Sequence, residues 1–183
     1  SGETYIAGNT ESPSFPVTAT AYDTSYNELG DIFVCKLNAP GSTLMYSTFL
    51  GGEKGDFLKG LDIDSVNNVY VSGYTFSTAG NTFPTTSNAY DTTFGGSDDA
   101  FLSKLNSTGS SLLYSTLLGG STTDRIEGLV VDTNGKIILT GTTASDDFPT
   151  TSDAYDKTSN GERDIFLAIM DINTTPQLVY SSY

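Results

Sequence analysis

A nine-residue stretch that recurs along the chain constrains the fold more than any other feature of the sequence. Leu112 to Gly120 reads Leu-Leu-Tyr-Ser-Thr-Leu-Leu-Gly-Gly, and Leu44 to Gly52 reads Leu-Met-Tyr-Ser-Thr-Phe-Leu-Gly-Gly. The stretch begins a third time at Leu178, and its three tyrosines lie 68 and 66 residues apart. A motif that returns at a nearly constant interval indicates a repeat protein, in which each repeat is one structural unit.

Each repeat also contains the same order of turn and strand signals. Asn67-Asn68 in one repeat and Asn134-Gly135 in the next lie between apolar runs and predict a tight turn, because such turns need positive φ. A long Ser/Thr-rich connection follows, in which a Phe-Pro pair and an Ala-Tyr-Asp motif keep a constant spacing. We expect this Phe and Tyr to anchor the connection, and the recurring stretch to form the fourth strand. The predicted first strands are Leu61 to Asp64 and Leu129 to Asp132, and the predicted third strands are Asp31 to Leu37, Asp99 to Leu105 and Asp164 to Met170.

Four short antiparallel strands in a repeat of roughly 65 residues are typical of a β-propeller blade. The chain is therefore predicted to be all-β, with about three consecutive blades that form part of a propeller. The first blade is predicted over residues 1–52 without its first strand, the second over 53–120, and the third, truncated at its end, over 121–183. A β-sandwich is the alternative because it also uses many short strands, but it does not explain the repeated order of motifs.

The motifs, taken in order, resemble the SBBP repeat of bacterial and archaeal surface β-propellers. The motifs are Tyr-Ser-Thr-x-Leu-Gly-Gly, Gly-Leu-x-x-Asp, Tyr-Val-Ser-Gly-Tyr-Thr, Phe-Pro-Thr-Thr-x-x-Ala-Tyr-Asp and Asp-Ala-Phe-Leu-Ser-Lys-Leu-Asn, and they extend over essentially the whole chain. The resemblance implies a propeller of the seven-bladed type that is exported and often belongs to a large multidomain surface protein. It implies an extracellular or cell-surface location and no catalytic activity.

The charge balance and the missing residue types argue against several classes of function. The sequence has 8 basic and 22 acidic residues, a net charge of −14, which disfavours binding to nucleic acid or to an anionic membrane surface. It contains no histidine, which removes Ser-His-Asp and Cys-His catalysis and histidine metal ligation. No stretch is apolar enough to predict a membrane span. We therefore expect a protein that is not an enzyme, with no catalytic residues and no cofactor.

Aspartates recur at fixed places in the repeat and have two possible roles. Asp31, Asp99 and Asp164 stand before the third strands, and Asp56 and Asp124 lie in the connections between blades. Clustered carboxylates could bind calcium, but no stretch has the dense Asp-x-Asp-x-Asp-Gly pattern of a calcium loop. A cap on turn N–H groups better explains a residue that every blade repeats, so we predict no metal site. The adjacent acidic pairs at 98–99 and 146–147 do not predict glycoside hydrolysis, since neighbouring side chains of an extended segment point apart.

Loop residues that do not recur are better candidates for binding. These residues are Tyr26, Asn27 and Glu28 in the first repeat, Phe94 before two glycines in the second, and Asn160, Glu162 and Arg163 in the third. Their spacing does not identify a ligand. The favoured function is a non-enzymatic, extracellular structural, adhesive or interaction module within a larger surface protein or assembly. The alternative is a lectin-like propeller that binds carbohydrate or another ligand.

Three blades cannot close a ring, because propellers close with about four to eight blades. We therefore expect the outer faces of the first and last blades to pack against further blades of the same or another chain. A longer polypeptide and an end-to-end assembly of copies would both cover them, and a cell-surface protein or a glycan is a further candidate partner. The apolar residues expected on these faces are Tyr5, Ile6, Ile32 and Phe33 at one end and Ile165, Phe166, Leu167 and Ile169 at the other.

Overall fold

A computed structural model of the chain describes residues 2–27, 29–77 and 83–183. All regular elements in this part of the chain are β-strands. They are β1 (Thr4–Thr10), β2 (Asp31–Leu37), β3 (Leu44–Leu50), β4 (Asp56–Ile63), β5 (Val69–Thr75), β6 (Asp99–Leu105), β7 (Leu112–Leu118), β8 (Asp124–Val131), β9 (Ile137–Thr143), β10 (Asp164–Met170) and β11 (Leu178–Ser182). Across these described ranges, no helix is long and apolar enough to cross a membrane.

The strands form three separate antiparallel sheets, each built from strands that are consecutive in the chain. The first sheet has the order β1-β2-β3, the second β4-β5-β6-β7 and the third β8-β9-β10-β11. We call these sheets the first, second and third blades. The prediction of an all-β chain made of partial-propeller blades is confirmed, and the three sheets do not close into a ring.

The tight turns between the first two strands of a blade form where the sequence predicts them. Asn67 has a φ of 66° and Gly135 a φ of 83°, which is the left-handed region that asparagine and glycine tolerate best. Asp64 holds the first of these turns, since its Oδ1 accepts the backbone N–H of Asn68 at 2.8 Å. Asp132 accepts the N–H of Lys136 at 2.9 Å in the same way.

The first strands of the blades begin earlier than predicted. Asp56 and Asp124, expected in the connections, are the first residues of β4 and β8. Each of these strands has a β-bulge three residues further on, where Lys59 and Glu127 are inserted into the pairing. A bulge interrupts the two-residue alternation of side chains, so the alternation seen in the sequence covers only the second half of each strand.

The apolar core lies between successive blades. One buried cluster joins the first two blades and includes Ile32, Val34 and Phe101, and a second joins the last two and includes Leu102 and Ile126. β4 packs on the first blade and β8 on the second. Because a middle strand of the second blade contacts neighbours on both faces, it buries nearly every side chain.

The phenylalanine of each Phe-Pro pair anchors the long connection, as predicted. Its ring lies against the phenylalanine of the third strand of the same blade, with ring centroids 4.3 to 4.4 Å apart. The ring pairs are Phe15–Phe33, Phe83–Phe101 and Phe148–Phe166. The prediction that the tyrosine also anchors the loop is wrong in the third blade, where Tyr155 is 94% exposed. There the anchor is its backbone N–H, which donates to the hydroxyl of Tyr180 at 3.1 Å.

The outer faces of the end blades carry fewer apolar residues than predicted. Ile165 and Leu167 are exposed on the third blade and Ile6 on the first, as expected. Ile32 and Phe166 are fully buried, so their assignment to the bare faces is wrong. Successive side chains of a strand point to opposite faces, and these two point toward the second blade.

Candidate functional site

The loop residues predicted to bind occupy the same place in three successive blades. The backbone N–H of Asn27 donates to Oδ2 of Asp31 at 2.9 Å, and the N–H of Asn160 donates to Oδ2 of Asp164 at 2.9 Å. In the second blade, the glycine after Phe94 donates to Asp99 in the same way, at 2.8 Å. The three loops are therefore copies of one capped turn, distributed over three blades. Glu28 lies outside the described residues.

The aromatic members of this set pack toward the core, while the charged members are exposed. The ring of Tyr26 lies 6.0 Å from that of Phe49, measured between centroids. Phe94, at the equivalent position of the second blade, packs against the core cluster between the first two blades. Glu162 and Arg163 are exposed. The structure thus gives the two rings a packing role and leaves the two charges on the surface of the third blade.

The aspartates at the blade junctions cap turns and also explain the recurring Gly-Gly. Oδ2 of Asp56 accepts the backbone N–H of Gly52 at 2.7 Å, and Asp124 repeats this contact with the equivalent glycine at 2.7 Å. A Cβ at Gly51 would lie 2.5 Å from Oδ1 of Asp31 and 2.6 Å from Oδ2 of Asp56. Only glycine fits at this point, because the two carboxylates approach it from neighbouring blades.

Burial changes the ionisation of these carboxyl groups. Asp56 is 1% exposed, and this burial, with a contribution from the charge of Asp31, raises the pKa of Asp56 to about 7. Burial likewise raises the pKa of Asp99 to about 6, with Asp124 contributing. Within the described ranges, no donor reaches Oδ1 of Asp31 or of Asp56. Among the same residues, no three Cys, Asp or Glu side chains are grouped so that they could hold a metal ion.

A cleft of about 750 Å³ opens between the first and second blades, next to Asp56. Its lining includes Asn9, Thr10, Glu11, Leu29, Asp56 and Phe57. One lining residue, Asn9, ties the two blades together, since its Nδ2 donates to the carbonyl of Asp56 at 2.7 Å. The cleft therefore combines hydroxyl, amide and carboxyl groups with one aromatic wall, Phe57, which is 37% exposed.

The equivalent place at the junction of the second and third blades is filled by side chains. Tyr74, Asp98 and Arg125 stand there at the positions of Asn9, Gly30 and Phe57. The guanidinium carbon of Arg125 lies 4.3 Å from the centroid of the Tyr74 ring, and the same guanidinium forms an ion pair with Asp98. The first junction is open because its residues at two of these positions are smaller.

Three aromatic rings form a cluster at the wall of the cleft. The rings of Phe57 and Tyr74 stack with centroids 5.0 Å apart, and Phe76 meets both edge-on at 5.8 Å. None of these three residues is among the binding candidates predicted from the sequence. A signal existed, because the other repeats have Asn9 and Thr142 in place of Tyr74. The contact itself could not be predicted, because Phe57 lies on β4 and Phe76 lies in the loop after β5. Tyr74 also belongs to a motif of the repeat, which gives it no distinctive place in the sequence.

Comparison with known proteins agrees with the sheet architecture. Residues 113–149 match the family model of the SBBP β-propeller repeat, a span that begins in β7 and ends at the Phe-Pro pair after β9. No curated protein matches the chain. The matched segment crosses the boundary between the second and third blades, which is where the recurring stretch leads from one sheet to the next. Residues 113–149 thus form an SBBP β-propeller repeat that joins the second and third of the three antiparallel sheets.

Proposed function

We propose that the chain is a non-enzymatic structural or interaction module of a larger surface protein or assembly. The repeat supports a scaffold role, because repeat architectures present extended surfaces and grow by adding similar units. The resemblance of its motifs to surface propellers supports an extracellular or cell-surface location. The absence of histidine from the sequence supports a module without acid–base or nucleophilic chemistry of the common kinds.

The observation that carries this proposal is the bare outer face of the third blade. On the second blade, Ala100 and Leu102 of β6 are fully buried by the blade that follows. Their equivalents on β10 are Ile165 and Leu167, which are 74% and 39% exposed. The same face of the same strand is thus covered in one blade and open in the other. Our proposal is that a further blade, from the same or another chain, covers it.

The mass of the chain in solution tests this proposal. We expect residues 1–183 to associate as concentration rises, because the exposed apolar face of β10 favours contact with the first blade of another copy. Ile165→Lys should shift the population toward the monomer, since it places a charge on that face. Val66→Lys is the matched control, because Val66 is 65% exposed in a turn. A wild-type chain that remains a stable, cooperatively melting monomer at high concentration would disprove the proposal.

A second candidate function, ligand binding, is supported by the cleft between the first two blades. Its mixture of hydroxyl, amide, carboxyl and aromatic groups is the kind of lining that binding sites use. A lectin-like role with a glycan as ligand is one form of this function. Screening the intact chain against a glycan array would test that form, and saturable binding to a defined sugar is the result that would support it.

A further inference from the structure

We propose that the cleft between the first and second blades binds a guanidinium group, presented by an arginine side chain of a basic partner segment. This inference rests on the second proposed function, ligand binding at that cleft. It adds the chemical class of the ligand, which follows from the charges of the lining, from the aromatic wall and from a comparison of the two blade junctions.

The charges of the cleft favour a cation. Glu11 and Asp56 line it, and no basic residue is among its described lining. Glu11 is exposed and available to a ligand, whereas Asp56 is buried with no donor within the described ranges reaching its Oδ1. A buried carboxyl oxygen that no donor reaches is stabilised by a positive charge brought near it. The net charge of −14 also favours the approach of a basic segment over an acidic one.

The aromatic wall favours a flat cation. Phe57 is 37% exposed, and its ring is held in place by the stack with Tyr74, at 5.0 Å between centroids. A guanidinium can lie over an exposed aromatic face, and its planar set of donors can reach a carboxylate at the same time. The compact, strongly hydrated ammonium of lysine matches such a combination less well. Phe57 and Glu11 therefore suit arginine better than lysine.

The junction of the second and third blades contains an arginine that lies over an aromatic ring and pairs with a carboxylate. Arg125 lies over the ring of Tyr74 at 4.3 Å and pairs with Asp98, which is 1% exposed. At the first junction Phe57 takes the place of Arg125, so no arginine of the fold fills the equivalent space. There the aromatic ring and the carboxylate come from Phe57 and Glu11. An arginine from outside would restore a contact that the neighbouring junction makes internally.

The test is a titration of the whole chain with N-acetylarginine amide, followed by NMR. We expect saturable shifts of the amide signals of Thr10, Gly30 and Phe57, and weaker binding at high salt because the contact is partly ionic. N-acetylcitrulline amide has nearly the same shape without the charge. It should bind at least about fivefold more weakly, the loss expected from one cation–π contact and one exposed ion pair.

Variants then assign the contact to the cleft. Glu11→Gln changes only an exposed side chain, so the fold should remain while arginine affinity falls. Phe57→Leu should weaken binding as well, and Glu162→Gln, an exposed acid of the third blade, is the control that should bind like the wild type. Equal binding of arginine and citrulline, or shifts unaffected by Glu11→Gln, would overturn the inference. Binding of a neutral glycan at these signals in place of arginine would also overturn it while leaving the ligand-binding function standing, and no binding of either would count against both.

Discussion

At the scale of single residues, the aspartates of this chain make similar hydrogen bonds, but their pKa values shift in opposite directions. Asp132 accepts the backbone N–H of Lys136, and this bond holds the pKa of Asp132 below its ordinary value. The backbone N–H of Thr158 has the same effect on the pKa of Asp156. Asp56 also accepts a backbone N–H, yet its pKa is raised to about 7 because burial outweighs the hydrogen bond. The solvent exposure of the carboxyl group, and not the hydrogen bond that it accepts, therefore decides whether its pKa is raised or lowered.

This difference predicts that stability falls as the pH rises from about 4 to about 7, between the unfolded and the folded pKa of Asp56. The pKa of Asp56 is about 7 in the folded chain and 3.8 in its ordinary state, so between these values the folded chain binds more protons than the unfolded chain. Its free energy of unfolding should therefore decrease from about pH 4 to about pH 7, by up to about 4 kcal/mol for a shift of this size. The groups that face the carboxyl are Asp31 of β2, Thr75 of β5 and the N–H of Gly52.

Asp56→Asn tests this pH dependence. Asparagine can still accept the N–H of Gly52, and its own amide can donate toward Asp31, so the variant should unfold at a higher temperature than the wild type at pH 8. At pH 4.5 the two proteins should melt alike. Melting curves at both pH values provide the measurement, with the exposed Asp153→Asn as the control. A variant that is less stable than the wild type at pH 8 would show that ionised Asp56 stabilises the fold.

At the scale of elements, the contact between a loop and the next blade decides which glycines are essential. Gly96 precedes β6, and a Cβ there would lie 1.5 Å from the carbonyl oxygen of Thr122. Gly161 occupies the same place before β10, but nothing lies within 4 Å of a Cβ at that position. The two glycines have equivalent places in the repeat, and only one of them is packed against a following blade.

We predict that Gly96→Ala destabilises the chain and that Gly161→Ala does not. The first variant forces backbone atoms of two blades apart, at a cost of about 1–3 kcal/mol or more, whereas the second meets open space. Urea denaturation of both variants measures the difference. If the two glycines tolerated alanine equally, the close packing of the loop before β6 against Thr122 would be contradicted. If a further blade covers the third one, Gly161→Ala should also weaken association.

At the scale of the whole molecule, the second blade is the best protected part of the described chain. β5 and β6 bury six of their seven residues each, because the first blade covers one face of the sheet and the third covers the other. β10 alternates buried and exposed positions, and β1 has no buried residue. Local opening costs least where apolar contacts are few, so stability should decrease from the middle blade toward both ends.

Amide hydrogen exchange should reveal this gradient. We expect the slowest exchange in β5 and β6 and faster exchange in β1 and β10, when the chain is dilute enough to limit association. Raising the concentration should slow exchange in β10 if another blade covers its outer face, and Ile165→Lys should remove that effect. Uniform protection of all three blades in the dilute chain would show that the end blades are as stable as the middle one.

Much of the architecture could be predicted from the repeat alone. The predicted third strands coincide with β2, β6 and β10, because each has a conspicuous apolar run that begins with aspartate. The turn at Asn67 and the anchoring by the phenylalanine of the Phe-Pro pair also follow from local patterns. A strand or turn signal that recurs in each repeat can be compared between the copies, so an ambiguous signal in one copy is resolved by the others. The exception is the alternation of side chains in the first strands. The bulge that interrupts it occurs in both copies, at Lys59 and at Glu127, so comparing the copies does not reveal it.

The candidate cleft and the outer faces depend on which residues of neighbouring blades meet, and only the tertiary structure decided this. The alternation along a strand shows that Ile32 and Phe33 face opposite ways, but not which of them meets another blade. In the same way, the sequence contains Phe57 and Arg125 without indicating that one leaves a cleft open and the other fills its equivalent. The sequence by itself determined the blades, since strand formation and turn geometry are local. The contacts between blades involve residues far apart in the chain, and their geometry exists only after the sheets have packed.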